Sequence, residues 1–425
     1  MNWGGKMKIK YLILGAGISG LSFASKLKDT NYIIIEKEAT AGGLCRTHKV
    51  NGYTWDFAGH FFHFKNEDTK AFFAPVLGNE QCIKQTKNTK IYIKEKYVDY
   101  PFQKNIHQLD KDDFIDCLYY LYFKKEKTDY DSFKDMLLGK FGEGICNRFL
   151  IPYNEKLYAC DLNKLDKDAM GRFFPYADFK DIICNMKKKA SSNSYNDTFE
   201  YPINGAQSVI DFLEKLIIKD NLILEEEILA VDPNNKIVTT DKGQYEYQYL
   251  INTIPFNQFI NLCKIKLKNK LSWNKVLVFN IGFDLPALDK NIHWVYYPSK
   301  EINFYRVGFY NNILLQNKLS IYVEIGYSQD QVIEINEEFI NTLENLRKCG
   351  IIDKHKVVSY ESIIIDPGYV HIAQKNIEEI NNTMIRLNKQ NIYTLGRYGA
   401  WTYCSMEDCY MSAIDLAKKL QKKEV

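Results

Sequence analysis

The sequence predicts an α/β protein: a Rossmann-like dinucleotide-binding domain with a helical insertion and an antiparallel β-sheet domain. Three observations support this fold class. An apolar strand runs directly into a glycine-rich turn and a helix near the N-terminus. The middle of the chain shows apolar residues at helical spacing. Most of the remaining sequence consists of short β-rich runs separated by turns, and the chain ends in a strand, a loop and a helix.

The glycine-rich turn is predicted to hold a dinucleotide. A strand over residues 11–14 leads into Gly15, Gly17 and Gly20, which form a Gly-x-Gly-x-x-Gly motif. The first glycine permits a tight turn, the second lets the backbone approach a pyrophosphate, and the third allows close packing of helix on strand. A second strand ends on Glu36, 21 positions after Gly15, where a carboxylate can accept hydrogen bonds from ribose hydroxyls.

A secretory signal is the alternative interpretation of the same segment, because lysines precede an apolar run. Three glycines interrupt that run and a strand follows it, so we favour the dinucleotide-binding turn. Residues 1–5 are interpreted as an extension ahead of a natural start at Met7.

Composition limits the possible partners. The 425 residues include 46% hydrophobic residues, enough for a large core and two or three subdomains. A net charge of +3 is too small to indicate a nucleic-acid partner, and no apolar run is long enough to predict a membrane partner. The ten scattered cysteines form no Cys-x-x-Cys pair, which predicts free thiols in a reducing cytoplasm and no metal site.

The chain is expected to visit the dinucleotide-binding domain three times. The segments predicted for this domain are 7–60, 200–265 and 388–425. The helical domain is predicted at 104–199, and its polar stretch 185–197 is interpreted as a mobile loop that closes over a bound nucleotide. The predicted antiparallel sheet domain comprises 61–103 and 266–387.

Six short motifs, found in order along the chain, closely resemble those of the UDP-galactopyranose mutase family. They are Tyr100–Ile106, Pro152–Tyr158, Trp294–Pro298, Asn303–Arg306, Asp366–Tyr369 and Gly396–Gly399. The resemblance extends from Lys8 to about Leu420. It implies an FAD-binding enzyme that interconverts the pyranose and furanose forms of a UDP-galactose-like sugar nucleotide for cell-surface glycan synthesis. It also implies that reduced FAD is the active form, that its N5 bonds to the sugar, and that an external reductant supplies the electrons. A homo-oligomer is plausible.

The resemblance also assigns roles to individual residues. Catalytic roles fall to Arg306, Arg397, His60 and Arg172. Cofactor contacts fall to Gly15, Gly17, Gly20, Glu36, Gly43, Leu44, Arg46, Gly59, His60, Arg397, Met406 and Glu407. Substrate contacts fall to Tyr100, Phe102, Gln103, Asn154, Tyr158, Trp294, Tyr296, Arg306, Tyr369 and Tyr403.

Each residue type suits its assigned part. Aromatic rings such as Phe102 can sandwich a base, and the Gln103 and Asn154 amides can read its edge. Arginines can fork onto phosphate oxygens. Arg306 and Arg397 stand in apolar and glycine-rich contexts, so each is expected to need a buried or ligand anion.

Other interpretations stay open. A flavin oxidoreductase of the amine oxidase or protoporphyrinogen oxidase type explains the glycine motifs, although it leaves the sugar-nucleotide motifs without a role. A sugar-nucleotide-binding flavoprotein without turnover is a third possibility. His60 can also be read as a core histidine, and Cys404 and Cys409 as structural thiols. Tyr158 replaces a usual tryptophan of the family, so the identity of the sugar is left open.

Overall fold

The computed structural model describes residues 7–79, 81–125, 127–187 and 198–422. Most of the predicted mobile loop at 185–197 therefore lies outside the described residues. In the part of the chain that is described, no helix has both the length and the apolar character needed to cross a bilayer.

Eighteen strands are present within the described ranges. In chain order they are β1 (Met7–Leu14), β2 (Tyr32–Ile35), β3 (Thr47–Val50), β4 (Tyr53–Asp56), β5 (Cys82–Thr86), β6 (Thr89–Ile93), β7 (Lys96–Asp99), β8 (Thr198–Pro202), β9 (Leu222–Ile223), β10 (Ile228–Asp232), β11 (Ile237–Thr240), β12 (Gln244–Asn252), β13 (Asn274–Pro286), β14 (Trp294–Tyr296), β15 (Arg306–Phe309), β16 (Lys318–Ser328), β17 (Val357–Ile365) and β18 (Ile392–Thr394).

The same ranges contain thirteen α-helices. They are α1 (Ile18–Ala24), α2 (Glu67–Leu77), α3 (Lys111–Tyr122), α4 (Phe133–Ile145), α5 (Ile151–Tyr158), α6 (Phe179–Asn185), α7 (Gln207–Glu214), α8 (Phe256–Leu262), α9 (Tyr310–Ile313), α10 (Ile335–Lys348), α11 (Gln374–Lys389), α12 (Gly396–Gly399) and α13 (Met406–Lys422).

A seven-stranded sheet forms the predicted dinucleotide-binding unit. Its order is β10-β11-β12-β1-β2-β9, and β18 pairs with the C-terminal part of β12. β1 runs parallel to both β2 and β12, and β12 runs parallel to β18. Parallel strands need crossover connections: α1 connects β1 to β2, and the two long insertions connect β2 to β9 and β12 to β18. The predicted Rossmann-like fold class is confirmed.

A second seven-stranded sheet follows the order β17-β13-β16-β15-β14-β6-β7. Its neighbours are antiparallel except for β14 and β6, which run parallel. Short β-rich runs predicted this sheet, and near its centre the strands are largely buried on both faces, as in β13 and β16.

The helical insertion packs against this second sheet. α4 bends at Gly142, whose φ of +71° places the backbone where an added Cβ would lie 2.2 Å from the Tyr120 carbonyl oxygen. The chain then passes through a π-helical turn over Cys146–Leu150 into α5. One buried apolar cluster joins α3, α4 and α5 to β13, β14 and β16. This packing brings α5 beside the strands that carry the predicted substrate residues.

One segment packs differently from the domain assignment. α2 lies within 61–103, which was assigned to the antiparallel sheet domain. Its Phe72 stacks on Tyr410 of α13 with ring centroids 4.9 Å apart, and Phe73 lies 5.9 Å from Phe212 of α7. α2 therefore contributes to the core beneath the dinucleotide-binding sheet.

Candidate functional site

The first glycine turn lies at the carboxyl edge of the parallel strands. Gly15 has a φ of +95°, and its N–H donates to the Ile35 carbonyl at 2.8 Å. A Cβ on Gly20 would lie 2.1 Å from the Gly15 carbonyl oxygen. Only glycine therefore allows α1 to pack this closely on β1, in agreement with the reason given for the motif.

A second glycine turn runs beside the first. The Gly42 N–H donates to the Ala16 carbonyl at 2.9 Å, and a Cβ on Gly43, whose φ is +56°, would lie 3.4 Å from the Gly17 Cα. Around Gly17 itself, an added Cβ would meet only the Gly43 Cα, at 4.0 Å. The two turns thus leave an open backbone surface at Gly17, where phosphate oxygens can approach N–H groups.

Glu36 follows β2 directly, and its carboxylate is buried. Oε2 accepts from the Ala16 N–H at 2.9 Å and Oε1 from the Glu38 N–H at 3.1 Å. These bonds fix the carboxylate beside the first glycine turn. Each oxygen has a second lone pair, so Glu36 retains the capacity to accept from ribose hydroxyls.

Arg46 was predicted to offer a positive charge to the pyrophosphate, and its neighbours show what it already binds. Nη1 donates to Glu38 at 3.1 Å, Nε donates to the Gly43 carbonyl at 2.9 Å, and the guanidinium lies 4.3 Å from the Phe57 ring centroid. In this structure Arg46 closes the second glycine turn. Leu44, in the same turn, packs against the core beside the second sheet.

His60 follows the two-stranded sheet of β3 and β4. A Cβ on Gly59 would lie 2.4 Å from the Tyr322 hydroxyl oxygen, so the loop packs tightly there. Nδ1 of His60 lies 2.9 Å from the Ala58 carbonyl, which favours the tautomer with the proton on Nδ1. Burial is the main cause that lowers the His60 pKa to about 4; Arg397 and Arg306 lower it further, and the Ala58 carbonyl opposes them.

Arg306 already has an internal anion. Its Nε and Nη2 donate to the two carboxylate oxygens of Glu324 at 2.8 and 2.6 Å. Glu324 is 1% exposed, whereas the Arg306 side chain is 21% exposed. The expectation that Arg306 needs a buried or ligand anion is thus met by Glu324. The Nη1 donors face away from this fork and stay free of Glu324.

Arg397 has a different environment. Nη1 donates to the Cys404 carbonyl at 3.1 Å, and the guanidinium lies 4.5 Å from the Tyr403 centroid and 5.2 Å from the Tyr369 centroid. Within the described residues, no carboxylate forms an ion pair with this partly buried cation. Arg397 therefore keeps an unbalanced positive charge among the residues that the structure describes.

Three tyrosines surround this cation. The rings of Tyr369 and Tyr403 stack with an interplanar angle of 17° and centroids 6.0 Å apart, and Tyr158 meets Tyr369 edge-on at 5.8 Å. The Tyr158 hydroxyl is buried and makes no hydrogen bond. The structure therefore brings together six predicted residues, namely His60, Tyr158, Arg306, Tyr369, Arg397 and Tyr403.

Three further predicted residues lie around the start of α13 and are engaged there. Glu407 accepts from the Lys65 and Asn66 N–H groups at 2.7 and 2.8 Å. The Met406 sulfur accepts a hydrogen bond from the Cys45 thiol at 3.6 Å. Arg172, half exposed, forms an ion pair with Asp408 at 2.5 Å. Arg172 therefore lies at the rim of the cluster rather than beside His60.

An aromatic wall continues from the arginines toward the helical insertion. Tyr296 lies 5.4 Å from Tyr100 and 5.0 Å from Tyr153, measured between ring centroids, and Tyr153 stacks on Phe149 at 5.1 Å. Trp294 is buried behind this wall, where its indole N–H donates to the Tyr322 hydroxyl. Trp294 thus supports the strands from within the core.

Three residues predicted to hold the base are deeply buried. Phe102 is 0% exposed and packs 5.2 Å from Phe149, so it presents no open face and the expected ring sandwich is not seen. The amide nitrogens of Gln103 and Asn154 donate to the Pro175 and Leu150 carbonyls. Their amide oxygens remain unpaired. Like Phe102, neither amide presents an exposed face to a base in this structure.

Three residues that position the predicted ones were not predicted from the sequence. Lys156 Nζ donates to the carbonyls of Tyr297, Ser299 and Ile302 at 2.8–2.9 Å, and to that of Phe304. It thereby ties α5 to the loop between β14 and β15.

Asn274 and Glu324 are the other two positioning residues. Asn274 receives the Tyr369 N–H on its side-chain oxygen at 2.5 Å and donates to the Leu157 carbonyl at 2.6 Å. Glu324 could have been found as a lone charge in the apolar run of β16. Asn274 and Lys156 carried no such signal.

The geometry fits a dinucleotide better than a metal. Two interleaved glycine turns and the fixed Glu36 carboxylate suit the adenosine diphosphate half of a cofactor such as FAD. Among the residues that the structure describes, no group of histidine, cysteine, aspartate and glutamate side chains could hold a metal ion.

Comparison with known proteins identifies both the domain and the fold. A family model described as an NAD(P)-binding Rossmann-like domain matches residues 13–76. A crystal structure of reduced UDP-galactopyranose mutase aligns with a TM-score of 0.89 and 23% identity, covering 97% of this chain and 94% of that chain.

Oxidases align as well. A protein from Exiguobacterium sp. 255-15, whose assignment as a protoporphyrinogen oxidase is provisional, gives a TM-score of 0.76 and 16% identity over 99% of this chain and 100% of that chain. Putrescine oxidase bound to putrescine gives 0.65 and 14% over 98% and 100%. At these identities the alignments establish the fold, and the resemblance to UDP-galactopyranose mutases is confirmed at that level.

Proposed function

We propose that this chain is a flavin-dependent mutase that interconverts the pyranose and furanose forms of a nucleotide-activated sugar similar to UDP-galactose. The convergence of Arg306 and Arg397 on His60, with Tyr369 stacked against Tyr403, carries the proposal. The similarity to reduced UDP-galactopyranose mutase across nearly the whole chain supports it.

FAD is the proposed cofactor, and its reduced form, when bound, supplies the nucleophile for the anomeric carbon. The two glycine turns and Glu36 hold the adenosine diphosphate half. Arg397 lies close to the turn that carries Ser19, because a Cβ on Gly396 would be 2.2 Å from the Ser19 hydroxyl oxygen. A cation there favours the negative charge of a reduced flavin.

The net charge of the site distinguishes the proposed substrate from an amine. Glu324 neutralises Arg306, while Arg397 has no carboxylate partner in the described part of the chain, so the cluster carries a net positive charge. Such a site attracts a diphosphate and repels an alkylammonium group. The positive charge of the site therefore favours a sugar nucleotide over an amine such as the putrescine bound by putrescine oxidase.

The chain's own groups have defined tasks in this proposal. The Nη1 group of Arg306 and the hydroxyls of Tyr369 and Tyr403 hold the diphosphate near the anomeric carbon, so that the departing group stays in place. Neutral His60 keeps its Nε2 available as an acceptor.

One assay tests the proposal against both alternatives. Protein reduced with dithionite and untreated protein are each incubated with UDP-galactose and other sugar nucleotides, and products are separated by chromatography. We expect furanose product with the reduced protein only. Substrate oxidation with formation of hydrogen peroxide would instead identify an oxidase. Binding of sugar nucleotides with neither reaction would identify a protein without turnover.

A pair of variants locates the activity. Arg397→Met is expected to weaken UDP binding at least about tenfold, because one charge-assisted hydrogen bond contributes roughly 1.5–3 kcal/mol. Arg347→Met, on the exposed face of α10, is the matched control. Equal affinities of the two variants would argue against a diphosphate at this cluster.

A further inference from the structure

Four sulfur atoms gather at the start of α13, next to Arg397. The Cys404 and Cys409 sulfurs lie 3.6 Å apart, and the Cys45 and Met406 sulfurs also lie 3.6 Å apart. The sequence shows no Cys-x-x-Cys pair and a spacing of five residues between Cys404 and Cys409. The close approach is therefore produced by the local fold.

A capping box at the start of α13 creates this approach. The Ser405 N–H and hydroxyl donate to the Asp408 carboxylate at 2.9 and 2.8 Å, and the Asp408 N–H donates to the Ser405 hydroxyl oxygen at 3.2 Å. In such a cap, the residue before the N-cap packs against the fourth helical residue, usually as an apolar contact. Here those two positions are held by Cys404 and Cys409.

The surroundings of Cys409 stabilise a thiolate. Its sulfur shares a hydrogen bond with the Cys404 thiol and accepts from the Ser19 hydroxyl and the backbone N–H of Arg397. The Cys404 bond is the largest cause that lowers the Cys409 pKa to about 7; burial opposes it, and the Arg397 charge lowers it further. Cys45, Tyr398 and Asp408 are the other titratable groups that face the pair.

The other buried thiols differ from Cys409. Burial raises the pKa of Cys82 to about 11 and those of Cys117, Cys160, Cys263 and Cys349 to about 12. Among the described residues, no other two cysteines share a sulfur–sulfur hydrogen bond. Cys404 is half-buried and gives the pair a partly exposed edge, whereas Cys409 is 5% exposed.

We infer that Cys404 and Cys409 are an oxidative modification site, at which hydrogen peroxide converts the two thiols into a reversible disulfide. The sulfurs must close from 3.6 Å to a bond of about 2.05 Å, a movement that side-chain rotation and a small shift of the loop can supply.

The disulfide forms in two steps. The Cys409 thiolate attacks one peroxide oxygen, the O–O bond breaks, and the departing hydroxide takes a proton to leave as water. The Cys404 sulfur then attacks the sulfur of the resulting sulfenic acid, the S–O bond breaks, and the hydroxide leaves as a second water with the Cys404 proton. The two thiols lose two electrons and one peroxide gains them.

The inference stands apart from the proposed function, since the test needs neither a sugar nucleotide nor turnover. Purified full-length protein is freed of reductant, treated with hydrogen peroxide at a one-to-one ratio, blocked with N-ethylmaleimide and digested without reduction. We expect a linked peptide pair containing Cys404 and Cys409. The count of free thiols after unfolding should fall from ten to eight and return to ten with dithiothreitol.

Variants test whether Cys404 and Cys409 themselves form the linked peptide pair. Cys404→Ser and Cys409→Ser should each abolish the link, whereas Cys184→Ser, at an exposed thiol, should leave it intact. The Cys404→Ser protein should instead carry one sulfenic acid, detected by dimedone labelling of Cys409. The inference is overturned if the native protein forms no linked peptide pair. It is also overturned if dimedone labels only Cys184, both in the native protein and in the Cys404→Ser variant.

Discussion

Arg306 and Glu324 face each other across β15 and β16, and their side chains meet in a two-point fork at 2.8 and 2.6 Å. The register of the two strands makes them direct neighbours, so the direction of the guanidinium is set by the sheet. The Nε and Nη2 groups of Arg306 therefore already have an acceptor, and Nη1 is the nitrogen left for a ligand. A preset donor loses less conformational freedom when a ligand binds.

Replacing Glu324 with glutamine tests this arrangement. The amide keeps the shape but loses the charge, so we expect the free energy of unfolding to fall by roughly 2–3 kcal/mol, allowing for the partial exposure of Arg306. Urea unfolding followed by tryptophan fluorescence measures the change. Glu344→Gln, exposed on α10, is the control and should lie within about 0.5 kcal/mol of the native protein. Equal stability of both variants would contradict a structural role for the fork.

Lys156 is expected to hold the loop between β14 and β15. Methionine at this position keeps the aliphatic stem and leaves four carbonyl groups without their donor, which should cost roughly 3 kcal/mol. Cleavage of residues 297–304 by a protease of broad specificity should become faster. Lys300→Met is the matched control in the same loop, since Lys300 is 76% exposed and forms only a surface ion pair. Similar cleavage rates in the two variants would rule out this anchoring role.

His293 should make the protein less stable in acid. Nδ1 accepts from the Asn88 N–H at 3.1 Å, so Nε2 donates to Gln85, and burial lowers the His293 pKa to about 4. The unfolded chain binds a proton near pH 6.5 and the folded chain does not, so stability falls as the pH falls from about 6.5 to about 4. His60 and His63 act in the same direction.

The measurement is the free energy of unfolding in urea at several pH values between 4 and 8. His293→Gln should reduce the slope in the acid range by about one proton relative to the native protein. An unchanged slope would show that His293 is protonated in the folded state.

Asp56 should act in the opposite direction. Burial raises its pKa to about 7, although hydrogen bonds from Thr47, Tyr201 and Ala206 work against this. The folded chain then holds a proton that the unfolded chain releases near pH 4. Stability is therefore full below about pH 4 and is lost as the pH rises through about 7.

Asp56→Asn should remove that dependence and keep the hydrogen bonds to the side-chain oxygen. We expect the variant to gain stability relative to the native protein between pH 5 and pH 8, as measured by urea unfolding at each pH. A constant difference across this range would show that Asp56 is ionised in the folded state throughout.

Glu36→Gln tests the dinucleotide site without disturbing the fold. The glutamine oxygen can still accept one of the two N–H groups, but a neutral amide is a weaker acceptor for ribose hydroxyls than a carboxylate. We expect about tenfold weaker binding of FAD to the apoprotein, with a melting temperature close to that of the native apoprotein. Glu227→Gln, exposed near β10, is the control. FAD affinity equal to that of the control would exclude Glu36 as a ligand.

Local signals in the sequence were sufficient for the dinucleotide-binding fold. The spacing of Gly15, Gly17, Gly20 and Glu36 encodes one strand, one turn and one helix, and each of those elements contacts the next along the chain. The return of the chain to this sheet was also predictable, because β12 and β18 are apolar strands followed by turns or helices.

Partners from distant parts of the chain could not be predicted in this way. Arg306 and Glu324 are each conspicuous as a lone charge in an apolar strand, but pairing them requires the register of β15 and β16. Phe102 has the composition of a binding residue and is buried by Phe149, which lies 47 positions later. Cys404 and Cys409 have no recognised spacing, and a helix cap brings them together.

The parallel pairing of β2 with β9 and of β12 with β18 places both ends of each insertion on adjacent strands of one sheet. An inserted segment that begins and ends at neighbouring points can be remodelled without displacing the glycine turns. Substrate-binding segments can therefore diverge while the dinucleotide-binding turns are retained, which is consistent with a mutase and oxidases sharing one fold.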